Sequence, residues 1–173
     1  RDGDDFVNIV NSDAATISVE SGGDDDRVQT DIDLTDLLFL AQGSLTNNVT
    51  ARGGTGNDML AGVDKAIGGK GDDLIIKSNS SLGGAGDDVF IHNVSAKGGA
   101  DNDKIYSGTT SGEDLAWGNI GDDWIINAQE GRGGKGNDHI AVFELNGAAA
   151  GNEFAEAKIV ELFADSEEYL YDQ

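Results

Sequence analysis

Residues 68–76 read GGKGDDLII: a glycine- and aspartate-rich hexapeptide runs directly into three apolar residues. Nearly the same string returns as GGAGDDVFI at 83–91 and GGKGNDHIA at 133–141. Aligning every aspartate that closes such a string, with an apolar residue two places on, gives Asp5, Asp26, Asp58, Asp73, Asp88, Asp103, Asp123 and Asp138. Four of the seven steps in this series are fifteen residues long. A short fixed period predicts stacked coils, none of which buries a core alone. The steps of 21 and 20 fit one coil plus a loop, and the step of 32 fits two coils, one lacking the motif.

Two columns run in phase with this period. Two residues after each aspartate stand Val7, Val28, Leu60, Ile75, Phe90, Ile105, Ile125 and Ile140, all large and apolar. Two residues before the first glycine of each full motif stand Ala51, Ala66, Ser81, Ala96, Ala116 and Gly131, all small. Strand side chains alternate faces with period two, so each column belongs to one face of a short strand. A flattened coil of two strands then lets the large ladder fill the interior against the small one. A disordered chain has no reason to keep two such columns in step, although its acidity and glycine content invite that reading.

The motif between the strands has the form Gly-Gly-x-Gly-x-Asp in GGTGND, GGKGDD, GGAGDD and GGKGND, with variants GGADND and GNIGDD. Its glycines permit a tight turn with positive φ and carbonyls converging on one spot. The fifth position is always Asn or Asp (Asn57, Asp72, Asp87, Asn102, Asp122, Asn137), which predicts left-handed backbone there. Turns stacked at about 4.8 Å bring the sixth-position carboxylates into mutual repulsion, which a hard cation between turns removes. Carbonyl-rich, irregular coordination favours Ca²⁺ over Mg²⁺, which demands an octahedron and keeps its waters.

These strings resemble the RTX, or hemolysin-type, calcium-binding nonapeptide G-G-x-G-x-D-x-U-x. The resemblance spans roughly residues 50 to 142, with degenerate motifs in DGDDFV and SGGDDDRV. It implies an all-β, right-handed parallel β-roll with Ca²⁺ in the turns. The implied side-chain ligands are Asp58, Asp73, Asp88, Asp103, Asp123 and Asp138. The turn backbone of Gly54, Gly56, Gly69, Gly71, Gly84, Gly86, Gly99, Asp101, Gly121, Gly134 and Gly136 supplies the carbonyls. The chain departs from the family in carrying one motif per fifteen-residue coil, the other edge turning through polar stretches such as KSNSS and HNVSA. A one-sided roll follows as the expectation, with about five inter-turn sites. Asp101 and Asn119 each stand where the family has glycine. The resemblance further implies a secreted bacterial protein exported by a type I system.

Composition narrows the function classes. With 33 acidic against 11 basic residues the formal charge is −22, so a nucleic-acid partner, which needs a basic stripe, is not expected. There is no cysteine, hence no disulfide framework, and no apolar run long enough for a membrane-spanning helix. The chain opens on Arg1 and reads as an excerpt of a longer protein. Lys70 and Lys135 lack the following Ser or Thr of a phosphate loop, and DDDRVQTDIDL lacks the glycine of an EF-hand. His92 and His139 read as surface residues of strands, and no group of residues has catalytic spacing. The Asn48, Asn79 and Asn93 sequons are what an Asn/Ser-rich turn yields by chance.

The expected organisation is degenerate coils at 1–30, an insert or motif-less coil at 31–49, the roll at 50–143 and a cap at 144–173. TDLLFLAQG at 35–43 predicts a short helix with Thr35 as N-cap, and FAEAKIVELF at 154–163 stands where a solenoid needs a cap. Residues flanking the buried column, Met59, Leu74, Ile76, Val89, Ile91, Tyr106, Trp124 and Ile126, should form an apolar outer face, covered within the chain or by self-association. The function expected is a calcium-dependent structural or adhesive module rather than an enzyme. The alternatives are a carbohydrate-binding module, or the non-catalytic roll of a secreted polysaccharide-modifying enzyme, using Trp117, Trp124, Tyr106 and Phe143 as stacking surfaces, and a surface-layer or adhesin segment that self-associates.

Overall fold

The computed structural model describes residues 3–9, 16–30, 49–107, 114–128, 130–145 and 157–164. Within them the chain is a stack of two-stranded coils. One sheet is entirely parallel and contains β2 (Ile17–Gly23), β4 (Val49–Thr55), β6 (Lys65–Lys70), β8 (Ser80–Ala85), β10 (Ser95–Ala100), β12 (Leu115–Ile120) and β14 (Glu130–Lys135). The other runs through β1 (Phe6–Ile9), β3 (Arg27–Thr30), β5 (Met59–Ala61), β7 (Leu74–Ile76), β9 (Val89–Ile91), β11 (Lys104–Tyr106), β13 (Trp124–Ile126) and β15 (Asp138–Leu145). It ends in β16 (Ala157–Ala164), which pairs antiparallel with β15. The described strands form a parallel β-solenoid.

Register follows the two sequence columns. Val7, Val28, Leu60, Ile75, Phe90, Ile105, Ile125 and Ile140 are successive Cα partners across the second sheet. Val19, Ala51, Ala66, Ser81, Ala96, Ala116 and Gly131 are successive partners across the first. From Val28 onward the large column is buried, and the small residues close against it. The small column is tight at Gly131, where a Cβ would stand 3.2 Å from Ile125 Cγ2 and 3.3 Å from Ile140 Cγ2, so those methyls would have to give by a few tenths of an ångström. This matching of large against small within a parallel stack is the packing that makes each coil depend on its neighbours.

The insertions leave this register untouched. Val28 pairs directly with Leu60, and the Asp26 N–H donates to Asp58 Oδ1 at 2.8 Å. The 32-residue step therefore places no coil between these neighbours in either sheet, which corrects the expectation of two coils. Residues 31–48, with the helix expected at 35–43, and residues 108–113 lie outside the described residues. At the far end, residues 157–164 add an edge strand to β15. A terminal strand of opposite direction uses the hydrogen-bonding groups that a further parallel coil would need.

The return turns differ from the motif turns. Gly62, Lys77, His92 and Asn127 take positive φ of 68°, 51°, 55° and 60°. The following residues, Val63, Ser78, Asn93 and Ala128, are buried. Asn93 spans two coils, its Oδ1 accepting from the Ser78 N–H at 2.7 Å and its Nδ2 donating to the Ile75 carbonyl at 3.0 Å. That engagement occupies the Asn93 sequon. His92 thus belongs to a turn, and His139 is buried in β15 against Trp124, so neither is the surface strand residue expected.

On the outer side of the second sheet the expected apolar face is interrupted. One column reads Phe6, Arg27, Met59, Leu74, Val89, Lys104, Trp124, His139, so Lys104 breaks the expected run between Val89 and Trp124, and Arg27 and His139 flank it. The other reads Ala61, Ile76, Ile91, Tyr106, Ile126, Ala141, with Ala61, Ile76 and Ala141 buried and Tyr106 exposed.

Truncating the buried column should be costly and truncating the outer wall should not. Phe90→Ala is expected to lose about 3–5 kcal/mol, and Leu82→Ala, on the outer side of β8, about 0.5 kcal/mol or less. Comparable losses in chemical unfolding would contradict this assignment of faces.

Candidate functional site

Each motif turn joins a strand of the first sheet to one of the second, and its six residues have separate tasks. Positive φ falls on the second and fourth positions, for example Gly69 at 131° and Gly71 at 114°. A Cβ at Gly69 would collide with the Gly54 carbonyl oxygen, and one at Gly71 with that of Gly56, so the preceding coil leaves no room for a side chain. Where this chain lacks the glycine, Asp101 and Asn119 adopt φ of 76° and 87°, nearer the left-handed region that Asp and Asn tolerate.

The fifth position is not left-handed, which corrects the expectation drawn from its Asn/Asp identity. These side chains instead hydrogen-bond from coil to coil. Oδ1 of Asn57 accepts from the Asp72 N–H at 2.8 Å, Asp72 from Asp87 at 2.9 Å, Asp87 from Asn102 at 2.9 Å, Asn102 from Asp122 at 2.8 Å and Asp122 from Asn137 at 2.8 Å. Only the short Asx side chain offers an acceptor at this reach, and either residue serves.

The sixth position forms a second ladder running the opposite way. The N–H groups of Asp58, Asp73, Asp88, Asp103 and Asp123 donate to Oδ1 of Asp73, Asp88, Asp103, Asp123 and Asp138, at 2.8–3.0 Å. Asp5 and Asp26 continue it, the Asp5 N–H donating to Asp26 Oδ1 at 2.6 Å. The sixth-position aspartates Asp26, Asp58, Asp73, Asp88, Asp103, Asp123 and Asp138 are all buried. The second oxygen, Oδ2, of Asp26, Asp58, Asp73, Asp88, Asp103 and Asp123 is buried and has no hydrogen-bond partner. Burying a charged oxygen unpartnered is strongly unfavourable, and here it recurs at every step.

The first position explains where these oxygens sit. A Cβ on Gly53, Gly68, Gly83, Gly98, Gly118 or Gly133 would collide with Oδ2 of the aspartate five residues on. The Cβ point of Gly53 is also 2.7 Å from the Gly68 carbonyl oxygen, and that of Gly83 is 2.8 Å from the Gly98 carbonyl oxygen. Each first glycine thus leaves room for a carboxylate oxygen, and at Gly53 and Gly83 the next coil's carbonyl oxygen converges on the same cradle. Among the described residues no three Asp, Glu or His side chains come together. A cation here would therefore draw on backbone carbonyls as well as carboxylates.

The electrostatics agree. Burial pushes the Asp73 and Asp88 carboxyls up to about 7, Asp103 to about 8 and Asp123 to about 6, and it raises Asp58 too. The bond from the preceding coil's aspartate N–H lowers each one, and neighbouring carboxylates raise it further. Desolvation and like charge both disfavour the anion.

The return edge has no such unbroken column: among the described residues Val63, Ser78, Asn93, Ser107 and Ala128 are buried there, with a buried carboxylate at Asp114. Sequence reasoning missed the role of SGGDDD. Gly22 pairs with Gly54 and Gly23 with Thr55, so Ser21 to Asp26 is a complete motif turn with serine in the first place. The aromatic residues do not share one surface. Trp117 lies on the outer side of the first sheet with Lys97 Nζ 5.2 Å from its ring centroid. Trp124 lies on the second, stacked on His139 at 4.2 Å and 25°, with Tyr106 on the same side. The Phe143 side chain lies outside the described residues. Comparison with known protein families, with curated proteins and with solved structures finds no match to this chain.

The pKa directions fix how the protein without divalent cations responds to pH. A carboxyl raised in the fold from 3.8 favours the folded state while protonated and loses that contribution as pH rises through the folded value. In a chelating buffer the melting temperature should therefore rise as pH falls from about 8 to about 5. A steady fall over that window would contradict the burial of these carboxylates.

Proposed function

We propose that the motif edge is a column of Ca²⁺ sites and that the domain is a calcium-stabilised structural or adhesive module, not an enzyme. The observation that carries the reading is the in-register series of buried Oδ2 atoms without partners, seated from Asp58 onward over first-position glycines and met at Gly53 and Gly83 by the next coil's carbonyl oxygen. Bound calcium supplies positive charge to oxygens that the fold otherwise leaves uncompensated. Asp58, Asp73, Asp88, Asp103, Asp123 and Asp138 would hold it with Oδ2, and the motif carbonyls, Asp101 among them, would complete the oxygen set. Five steps between consecutive full motifs give about five sites. Carbonyl-rich donor sets suit Ca²⁺ better than Mg²⁺.

Because each cradle is shared between coils, it exists only once the coils stack, and binding free energy becomes folding free energy. A chain with 33 acidic and 11 basic residues then folds weakly where calcium is scarce and firmly where it is abundant. That behaviour suits an extracellular or cell-surface bacterial protein, and type I export accords with the RTX-like motif. A second reading rests on the exposed Trp124 and on the Lys97–Trp117 pair, which offer stacking surfaces for a polysaccharide on opposite walls. Under that reading calcium still holds the roll.

Two adjacent substitutions separate metal binding from turn architecture. Asp88→Asn removes a buried carboxylate and is expected to abolish binding at its cradle and weaken the neighbouring one. Asp87→Asn restores the residue already found at Asn57, Asn102 and Asn137 and should leave calcium binding unchanged. Calorimetric titration checks both, and equal behaviour of the two variants would count against the proposal.

A further inference from the structure

In the Ser21–Asp26 turn the hydroxyl occupies the place where the other turns leave a cradle. Ser21 is the equivalent of Gly53, Gly68, Gly83, Gly98, Gly118 and Gly133, as the pairing of Gly22 with Gly54 requires. It is buried. Its Oγ lies 3.0 Å from both the Gly53 and the Arg52 carbonyl oxygens and donates its proton between them. The Gly53 carbonyl is the counterpart of the Gly68 carbonyl, which one coil later stands beside Asp58 Oδ2 with no side chain between. At every other step the first residue has no atom to place there.

We propose that Ser21 closes the metal column at its N-terminal end, so that the step between the Asp26 and Asp58 turns holds no calcium although its other parts are in place. This rests on the reading of the motif edge as a calcium column and adds where that column stops. The turn is otherwise complete. The Asp26 N–H donates to Asp58 Oδ1 at 2.8 Å, the Asn57 N–H donates to Asp25 Oδ1 at 2.8 Å, and Asp24 takes the φ of 68° that its fourth position needs. Asp26 Oδ2 is buried and unpartnered like its counterparts. Only the first residue differs in kind, and it differs by a Cβ and a hydroxyl set into the cradle. The serine proton satisfies a carbonyl that a cation takes elsewhere, so the coil is tied on without metal. The first motif turns of the chain then keep their stacking when calcium is withdrawn.

The test is the number of calcium ions bound by the full chain, measured by native mass spectrometry at saturating calcium. Ser21→Gly removes the obstruction and is expected to add one ion to the wild-type count. Ser21→Ala keeps the Cβ and should leave the count unchanged. Gly68→Ser installs the same obstruction within the column and should remove at least one ion. If wild type binds calcium and Ser21→Gly binds the same number, the closure is wrong while the calcium column stands. If Ser21→Ala loses an ion, the hydroxyl is a ligand rather than a plug, and the proposal is overturned. A wild-type count of zero would overturn the calcium column itself and the closure with it.

Discussion

Parallel stacking places identical residues one above another, and for aspartate that is a problem the rest of the structure has to solve. Neighbouring coils sit about 4.8 Å apart, at which two carboxylates repel by about 3 kcal/mol at an effective dielectric of about 20. One oxygen of each carboxylate is satisfied by a backbone N–H of the preceding coil, so the side chain belongs to the hydrogen-bonded frame and cannot swing out to water. The other oxygen is held inside, over a glycine that has no side chain. The fold therefore fixes the charge in place before anything neutralises it. Protons or a hard cation are the two ways to do so, and the raised carboxyl pKa values and the proposed calcium sites are two expressions of that one constraint.

The two edges of the solenoid show the same backbone problem solved with and without a continuous carboxylate column. At the motif edge the coil-to-coil acceptors are aspartate and asparagine oxygens, in two ladders of opposite direction. At the return edge Asn93 bridges Ser78 and Ile75, Asp64 accepts from the Val49 N–H and from Asn79 Nδ2, and Asp114 is buried. The unbroken column of buried carboxylates thus lies on one side, while the large and small columns between the edges hold the sheets together. The Ser21 turn stands between these two styles, with the aspartate ladder of the first and a neutral hydroxyl tie of the second.

Much of this was legible in the sequence because a solenoid translates period directly into contact. A fifteen-residue step, a large residue two places after each aspartate and a small one two places before each glycine pair determine the coil, its register and its core. The long step before Asp58 was misread because length alone does not separate two coils from one coil with an excursion. The direct bond from Asp26 to Asp58 makes that distinction. Residue identity also underdetermined the fifth position: Asn and Asp suit both left-handed backbone and a hydrogen-bonded ladder, and here the ladder wins. Lys77 and His92 carry no sequence mark of the left-handed turns they form. The C-terminal strand could be placed as a cap, but its antiparallel pairing depends on β15 and is not written in its own composition.

The central claim is that a divalent cation, calcium in particular, relieves the buried carboxylate column and thereby holds the fold. Far-UV circular dichroism of the chain in chelator near pH 8, followed through addition of calcium and, separately, of magnesium, tests it most directly. The account predicts a weak strand signal in chelator that rises to saturation with calcium and responds far less to magnesium. A full strand signal in chelator, unmoved by calcium, would contradict it.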